Sequence, residues 1–202
     1  MARYLGEQLG VPVTIKKIAW ESLVPAMKSG EINTIIAGMS YTSDRDQQLD
    51  FTSAYYVSDL VAVVKVDGEL LDITSIQDLS GYRVVSQRNT IQDSVIDQIS
   101  DVVHVPGADS FATAALSVLS DDADALIAEY PVARAIVNAN PQLVIVVFDV
   151  GFTGIDENEL SVAVAVDEGN EELVNNINNA LALLEDTTRQ TWMDAAIERA
   201  TA

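Results

Sequence analysis

Short β-branched runs alternate along this chain with stretches of helical spacing, and few folds accommodate that order. Leu60-Val61-Ala62-Val63-Val64 is continuously apolar and too short for a core helix, so it reads as a strand buried on both faces. Further strands are expected at 11–18, 32–37, 84–85, 124–128, 143–148 and 161–166. Between them, helical spacing predicts helices ending at Gly10 and at Gly30, a helical turn at 76–79 closed by Gly81, and helices at 91–99, 111–119, 131–138, 171–184 and 192–199. Strands alternating with helices imply an α/β fold with mainly parallel sheets. The middle of the chain carries its own βαβαβ pattern, and the runs at 60–64 and 161–166 look like crossing points between two bodies.

Composition narrows the chemistry. With 202 residues, 49% of them hydrophobic, the chain can bury one large core or two small ones. No apolar run approaches the 18 or so residues of a membrane span. Met1-Ala2-Arg3-Tyr4 leads straight into a helical pattern, so a secretory leader is not expected within the chain. There is no Cys, hence no disulfide, thiol nucleophile or thiolate metal site, and one His, His104, which reads as a loop residue before Pro106-Gly107. No metal or cofactor is expected. A net charge of −20 with 11 Lys and Arg argues against nucleic acid, which needs clustered cations. Screening over about 8 Å leaves room for a contact Arg to hold an anion despite that field.

The segment after the second run concentrates polar chemistry. Ala37-Gly38-Met39-Ser40-Tyr41-Thr42-Ser43-Asp44-Arg45 is a strand end emptying into hydroxyls and a guanidinium. Backbone N–H groups, a hydroxyl and the donor fork of Arg can converge there on a small anion such as a carboxylate. The competing reading pairs Arg45 with Asp44 or Asp46 on a solvated loop.

The surrounding order resembles a known family. Trp20-Glu21-Ser22-Leu23-Val24-Pro25-Ala26-Met27-Lys28-Ser29-Gly30, the strand, the Gly38-to-Arg45 loop, then Asp50-Phe51-Thr52 and Tyr55-Tyr56 are similar to the amino-acid-binding proteins of ABC importers, the extracellular solute-binding proteins of family 3. The resemblance implies a two-lobed periplasmic-binding-protein-like fold of type II. Its lobes would be three-layer α/β/α, joined by two hinge strands, with the ligand in the cleft between them. Lobe 1 is then expected at about 1–57 plus 158–202, and lobe 2 at 58–157. The family opens with a strand that this chain does not show before its first helix, which raises the expectation of a dimer or domain swap.

Site residues follow from the resemblance by position. Ser40 and Arg45 match the groups that bind the ligand α-carboxylate, with the backbone of Gly38 beside them. Gln87-Arg88-Asn89-Thr90-Ile91 lies where the family has a helix start that donates to the same carboxylate, through Thr90 and the N–H of Ile91. Asn89 replaces a Gly there, and Asn tolerates a left-handed conformation. Asp124-Ala125-Leu126-Ile127-Ala128-Glu129-Tyr130-Pro131 places Glu129 where an acid binds the ligand ammonium; read without the family, Glu129 is a helix cap before Pro131. Trp20 would wall the ligand or pack in the core, and Gln87 is a weaker candidate for the ligand side chain.

The implied function is the extracytoplasmic solute-binding component of an ABC importer. It takes a free, polar amino acid and partners a membrane permease, in a periplasm or lipid-anchored on a Gram-positive surface. The alternatives are a receptor's sensing domain, or a dehydratase-type enzyme with Glu129 as acid.

Overall fold

The computed structural model describes residues 1–155 and 159–199. In chain order its elements are α1 (Ala2–Leu9), α2 (Leu23–Lys28), β1 (Ile35–Ser40), α3 (Ser43–Asp46), β2 (Leu49–Val57), β3 (Leu60–Lys65), β4 (Arg83–Val85), α4 (Ile91–Ser94), β5 (Val103–His104), α5 (Phe111–Leu119), β6 (Ala125–Glu129), α6 (Tyr130–Ala139), β7 (Leu143–Val146), β8 (Ser161–Asp167), α7 (Glu171–Ala182) and α8 (Asp186–Arg199). The chain divides into two compact units: Met1–Val57 with Asp156–Met193, and Ser58–Ile155 with Asp194–Ala202. The expected second boundary, at 157/158, lies outside the described residues. The sequence placed everything after it with the first lobe; instead α8 crosses the division, and past Met193 its Asp194 accepts from Arg134 of α6 at 2.9 Å.

Neither sheet is mainly parallel: one is antiparallel and the other mixed. The first unit holds β1-β8-β2, with both pairings antiparallel. The second holds β5-β4-β6-β3-β7, where β4 pairs in parallel with β5 and β6, while β3 runs antiparallel to β6 and β7. In the second sheet the reason is β3. It lies between β6 and β7 and runs opposite to both, so each of its pairings is antiparallel. Alternation with helices does not reveal that reversal.

The apolar run predicted for β3 follows from its position. Val61 and Val63 pack with Ala114, Val118, Ala133 and Ile136 of α5 and α6; Ala62 and Val64 face Ile76, Leu79, Ile96 and Ile99 on the other side. A strand covered on both faces has no polar phase, and each such Val stabilises the unit by roughly 1.5–3 kcal/mol. In the first unit β8 works similarly. Val164 and Val166 meet Leu5 of α1 and Ile177 and Leu181 of α7, and Ala165 meets Leu23 and Met27 of α2.

Two sequence readings fail here. Residues 11–18 form no strand, and Val11, Val13 and Ile15 are exposed. Their alternation suits a ladder, but among the described residues no strand pairs with them. Conversely, the sequence shows no strand pattern over the nine-residue β2. Its register against β8 shifts between Phe51 and Ala54 and again between Ala54 and Tyr56, and such irregularities break a period-two pattern. At the first shift the buried Thr52 hydroxyl accepts the Val164 N–H at 3.1 Å and donates to the Ser53 carbonyl at 2.9 Å.

Candidate functional site

The first unit brings Gly38, Ser40, Arg45 and Trp20 together at the end of β1. The register of β1 on β8 shifts between Ile35 and Met39, and Gly38 takes φ 68 within that irregularity, a left-handed value that favours glycine. Its N–H leaves the ladder and donates to the Tyr55 hydroxyl of β2 at 3.1 Å. A carboxylate arriving at this amide therefore competes with Tyr55. Beyond β1, Thr42 caps α3: its Oγ1 accepts the Arg45 N–H at 3.2 Å. That cap sets the direction in which Arg45 leaves the short helix. The guanidinium then turns back, Nη1 donating to the Ser40 carbonyl at 2.8 Å, with Cζ 5.3 Å from the centroid of the Trp20 ring. Trp20 packs against the cluster of Leu23, Met27 and Met39, which is the core reading of this residue. Asp46 accepts from the Tyr41 hydroxyl at 3.2 Å, and the Tyr41 ring meets Phe51 edge-on.

The second unit brings Thr90, Ile91 and Glu129 to one end of its sheet. After β4 the chain is braced from across: Arg88 N–H donates to the Ala108 carbonyl at 3.0 Å, and Gln87 Nε2 to the Asp109 carbonyl at 3.2 Å. Gln87, the expected side-chain contact, is thus buried and held as a loop brace. Asn89 takes φ 59, the left-handed turn that glycine would otherwise supply. Thr90 is the N-cap of α4. Its Oγ1 donates to the Gln87 carbonyl at 2.6 Å and accepts the Asp93 N–H at 3.3 Å, which turns the start of α4 into a fixed bend. Gly107 lies so close beneath that an added Cβ would meet Arg88 Cα and Asp93 Oδ1 at 2.8 Å each.

Glu129 ends β6 and stands at the N-cap position of α6, yet its side chain makes no cap bond. Its backbone is pinned by the register opposite Leu60 and by Tyr130 N–H donating to the Asp59 carbonyl at 3.0 Å. Its Oε1 instead accepts from Gln92 Nε2 of α4 at 2.9 Å. Sequence reasoning missed Gln92. It lies beside Thr90 and Ile91, but nothing local marks a partner 37 positions away. Asp124, in the same motif as Glu129, is structural: its carboxylate takes the N–H, Nε and Nη2 of Arg83, tying β4 to the start of β6. Those bonds hold its pKa below the ordinary carboxylate range.

His104 of β5 is more than a loop residue. Nδ1 lies 2.8 Å from Asp97 Oδ1 and Nε2 3.3 Å from Asp93 Oδ1. Burial pushes its pKa down, but the bonds and charges of Asp97 and Asp93 outweigh that and raise it. Among the described residues no group of three or more acids and His gathers as a metal site, and no helix is long and apolar enough to cross a membrane.

These arms can be set beside known proteins. The family of bacterial extracellular solute-binding proteins, family 3, matches residues 1–195. The chain is similar to ABC transporter arginine-binding protein 1 of Escherichia coli (strain K12), 28% identical over 96% of this chain and 78% of that protein. It is similar to an ancestral arginine-binding protein solved with glutamine, 32% identical, TM-score 0.79, covering 94% of this chain and 82% of the other. The substrate-binding protein AbpA of Streptococcus pneumoniae, solved with L-arginine, shares the fold with TM-score 0.87 at 24% identity, over 100% of this chain and 83% of that one.

Proposed function

Because the chain belongs to the bacterial extracellular solute-binding proteins of family 3, we propose that it takes up one free amino acid outside the cytoplasm for an ABC permease. The observation that carries this is the Arg45 guanidinium, aimed by the Thr42 cap and held on the Ser40 carbonyl beside Trp20. A planar fork in that position suits a carboxylate, which it grips with two parallel bonds. In this reading Arg45 and Ser40, with the backbone at Gly38, take the ligand α-carboxylate. Thr90 and the Ile91 N–H add donors, Glu129 takes the α-ammonium, and Trp20 walls the side chain.

L-Arginine is the first ligand to try. Relatives carry arginine in their names or are solved with it, and a chain of net charge −20 attracts a cation through its association rate. The site of action is extracytoplasmic, periplasmic or anchored by lipid on an outer face. The reading contains no catalytic step: a dehydratase with Glu129 as acid would release product from prephenate or arogenate, and this protein would release none. Among the described residues β1 pairs on one side only, and its other side is where two copies would pair if they dimerise.

A thermal-shift screen of the twenty amino acids tests the reading, because a ligand that binds only the folded chain raises its stability by mass action. Stabilisation by L-arginine or another single amino acid is the expected result. No stabilisation by any of them overturns it.

A further inference from the structure

His104, on β5, is the single histidine of the chain. Each of its ring nitrogens faces a carboxylate: Nδ1 stands 2.8 Å from Asp97 Oδ1, and Nε2 3.3 Å from Asp93 Oδ1. A carboxylate only accepts, and a neutral imidazole carries one N–H. Both contacts are therefore made in full by the imidazolium alone, which donates from both nitrogens. Burial lowers the pKa of the ring, and Asp97 and Asp93 together raise it above the ordinary histidine value. The two acids belong to one piece of chain. Asp93 lies in α4 and Asp97 in the helical turn Val95–Gln98 that follows it directly. They stand four positions apart, where like charges on a helical segment repel. Asp93 is largely shielded from water, and Asp97 is exposed. A charged ring draws both carboxylates toward β5; a neutral ring has one N–H to share between two repelling charges. The cations nearby face other acids. On β4 the residue opposite His104 is Val84, and Arg83 of that strand bonds Asp124 and the Asp121 carbonyl. Arg88 approaches Asp93 across Gly107, and its guanidinium pairs with Asp109 at 2.6 Å.

Asp93 carries this change to the turn before α4. Its carboxylate faces His104, while its backbone N–H donates to the Thr90 Oγ1 at 3.3 Å. What the ring does to Asp93 is felt, through one residue, at Thr90 and at Ile91 beside it. From this geometry we propose that His104, Asp93 and Asp97 form a proton-operated latch on α4, which makes amino-acid affinity fall as pH rises through the titration of His104. The proposal rests on the amino-acid-binding reading above. With the ring charged, α4 is drawn onto β5 and the Thr90 turn is held before a ligand arrives. With the ring neutral, the hold is weaker and the ligand must order the turn itself, which costs affinity. The coupling is reciprocal: a bound amino acid keeps the latch closed and makes the His104 proton harder to remove. The protein thus keeps its ligand better in a mildly acidic medium than in a mildly alkaline one.

The test uses the full chain and L-arginine, or the amino acid that stabilises the chain in its place. With one histidine, the ring-proton resonance in an NMR titration reports His104 alone. It is expected to titrate at higher pH with saturating ligand than without. Calorimetric affinity is expected to fall roughly fivefold or more between about pH 6 and about pH 8.5. In His104→Gln, which carries no charge, the two affinities are expected to agree within about twofold; the ligand's own α-ammonium and the Met1 amine titrate alike in parent and variant. Asp97→Asn, at an exposed position, is expected to fall less than the parent, and it decides if thermal unfolding shows that His104→Gln does not fold. A His104 titration that the ligand leaves in place, or a parental fall retained in the folded variants, assigns His104 a structural role and overturns the proposal. If the parent binds none of the twenty amino acids, the amino-acid-binding reading has failed and the proposal falls with it. That outcome is separate from a parent that binds equally well at both pH values.

Discussion

The Arg45 guanidinium donates to the Ser40 carbonyl at 2.8 Å while lying 5.3 Å from the centre of the Trp20 ring. That bond and the ring face limit the directions the guanidinium can take. A limit of this kind reduces the ordering cost of binding.

Removing the aromatic face should loosen that orientation. Trp20→Ala is expected to weaken L-arginine binding by about 0.5–2 kcal/mol, the range of a cation–π contact, or roughly two- to thirtyfold. Calorimetry on both proteins measures it; an unchanged affinity shows that Trp20 serves the core alone.

Glu129→Gln keeps the shape of the side chain and removes its charge. The preference for L-arginine over 5-guanidinopentanoate should disappear, since only the amino acid carries an ammonium to pair. Titrating both ligands into the variant decides it, and unchanged selectivity rejects the role given to Glu129.

Thr52→Val tests the bulge in β2. The substitution leaves the Val164 N–H, buried among apolar side chains, without its 3.1 Å acceptor. A loss of about 1–3 kcal/mol is expected for an orphaned buried donor, read as a lowered denaturant midpoint. Thr52→Ser, which keeps the hydroxyl, should lose less.

How far the fold was legible follows the range of the signals. The helical spacing over 111–119 matches the bounds of α5, and Ser110 caps its start, accepting from Thr113 N–H at 3.1 Å. Both are local. β3 was read because burial on both faces leaves an unbroken apolar run. The direction of β3 against β6 was not legible, because strand polarity is decided between segments more than sixty residues apart. Residues 11–18 carry a strand pattern, yet a strand also needs a neighbour. At the site, Gly38, Ser40, Arg45 and Trp20 lie near one another in sequence, and the fold gathers them; Gln92 and the buried bracing of Gln87 depend on contacts across the second unit.

The pH dependence of stability has a definite sign at each edge. His104 has a raised folded pKa, so its contribution is complete below the ordinary value of about 6.5 and is lost as pH rises through the folded value. Its facing charges are Asp93 and Asp97, and both ring nitrogens donate to them when the ring is protonated. Asp124 has a lowered folded pKa, so its contribution is complete above the ordinary carboxylate range and is lost as pH falls through the folded value. Urea midpoints across pH should therefore fall on both sides of a mildly acidic plateau. His104→Gln should flatten the neutral side only; a parental slope in that variant would assign the slope to other groups.

The central claim is that Arg45 takes the ligand carboxylate. Calorimetric titration of L-arginine into the parent and into Arg45→Ala tests it most directly. The account predicts weakening by about 2–5 kcal/mol, the cost of truncating one partner of a buried, hydrogen-bonded charge pair, with the variant still folded by thermal unfolding. An Arg45→Ala affinity within threefold of the parent would contradict it.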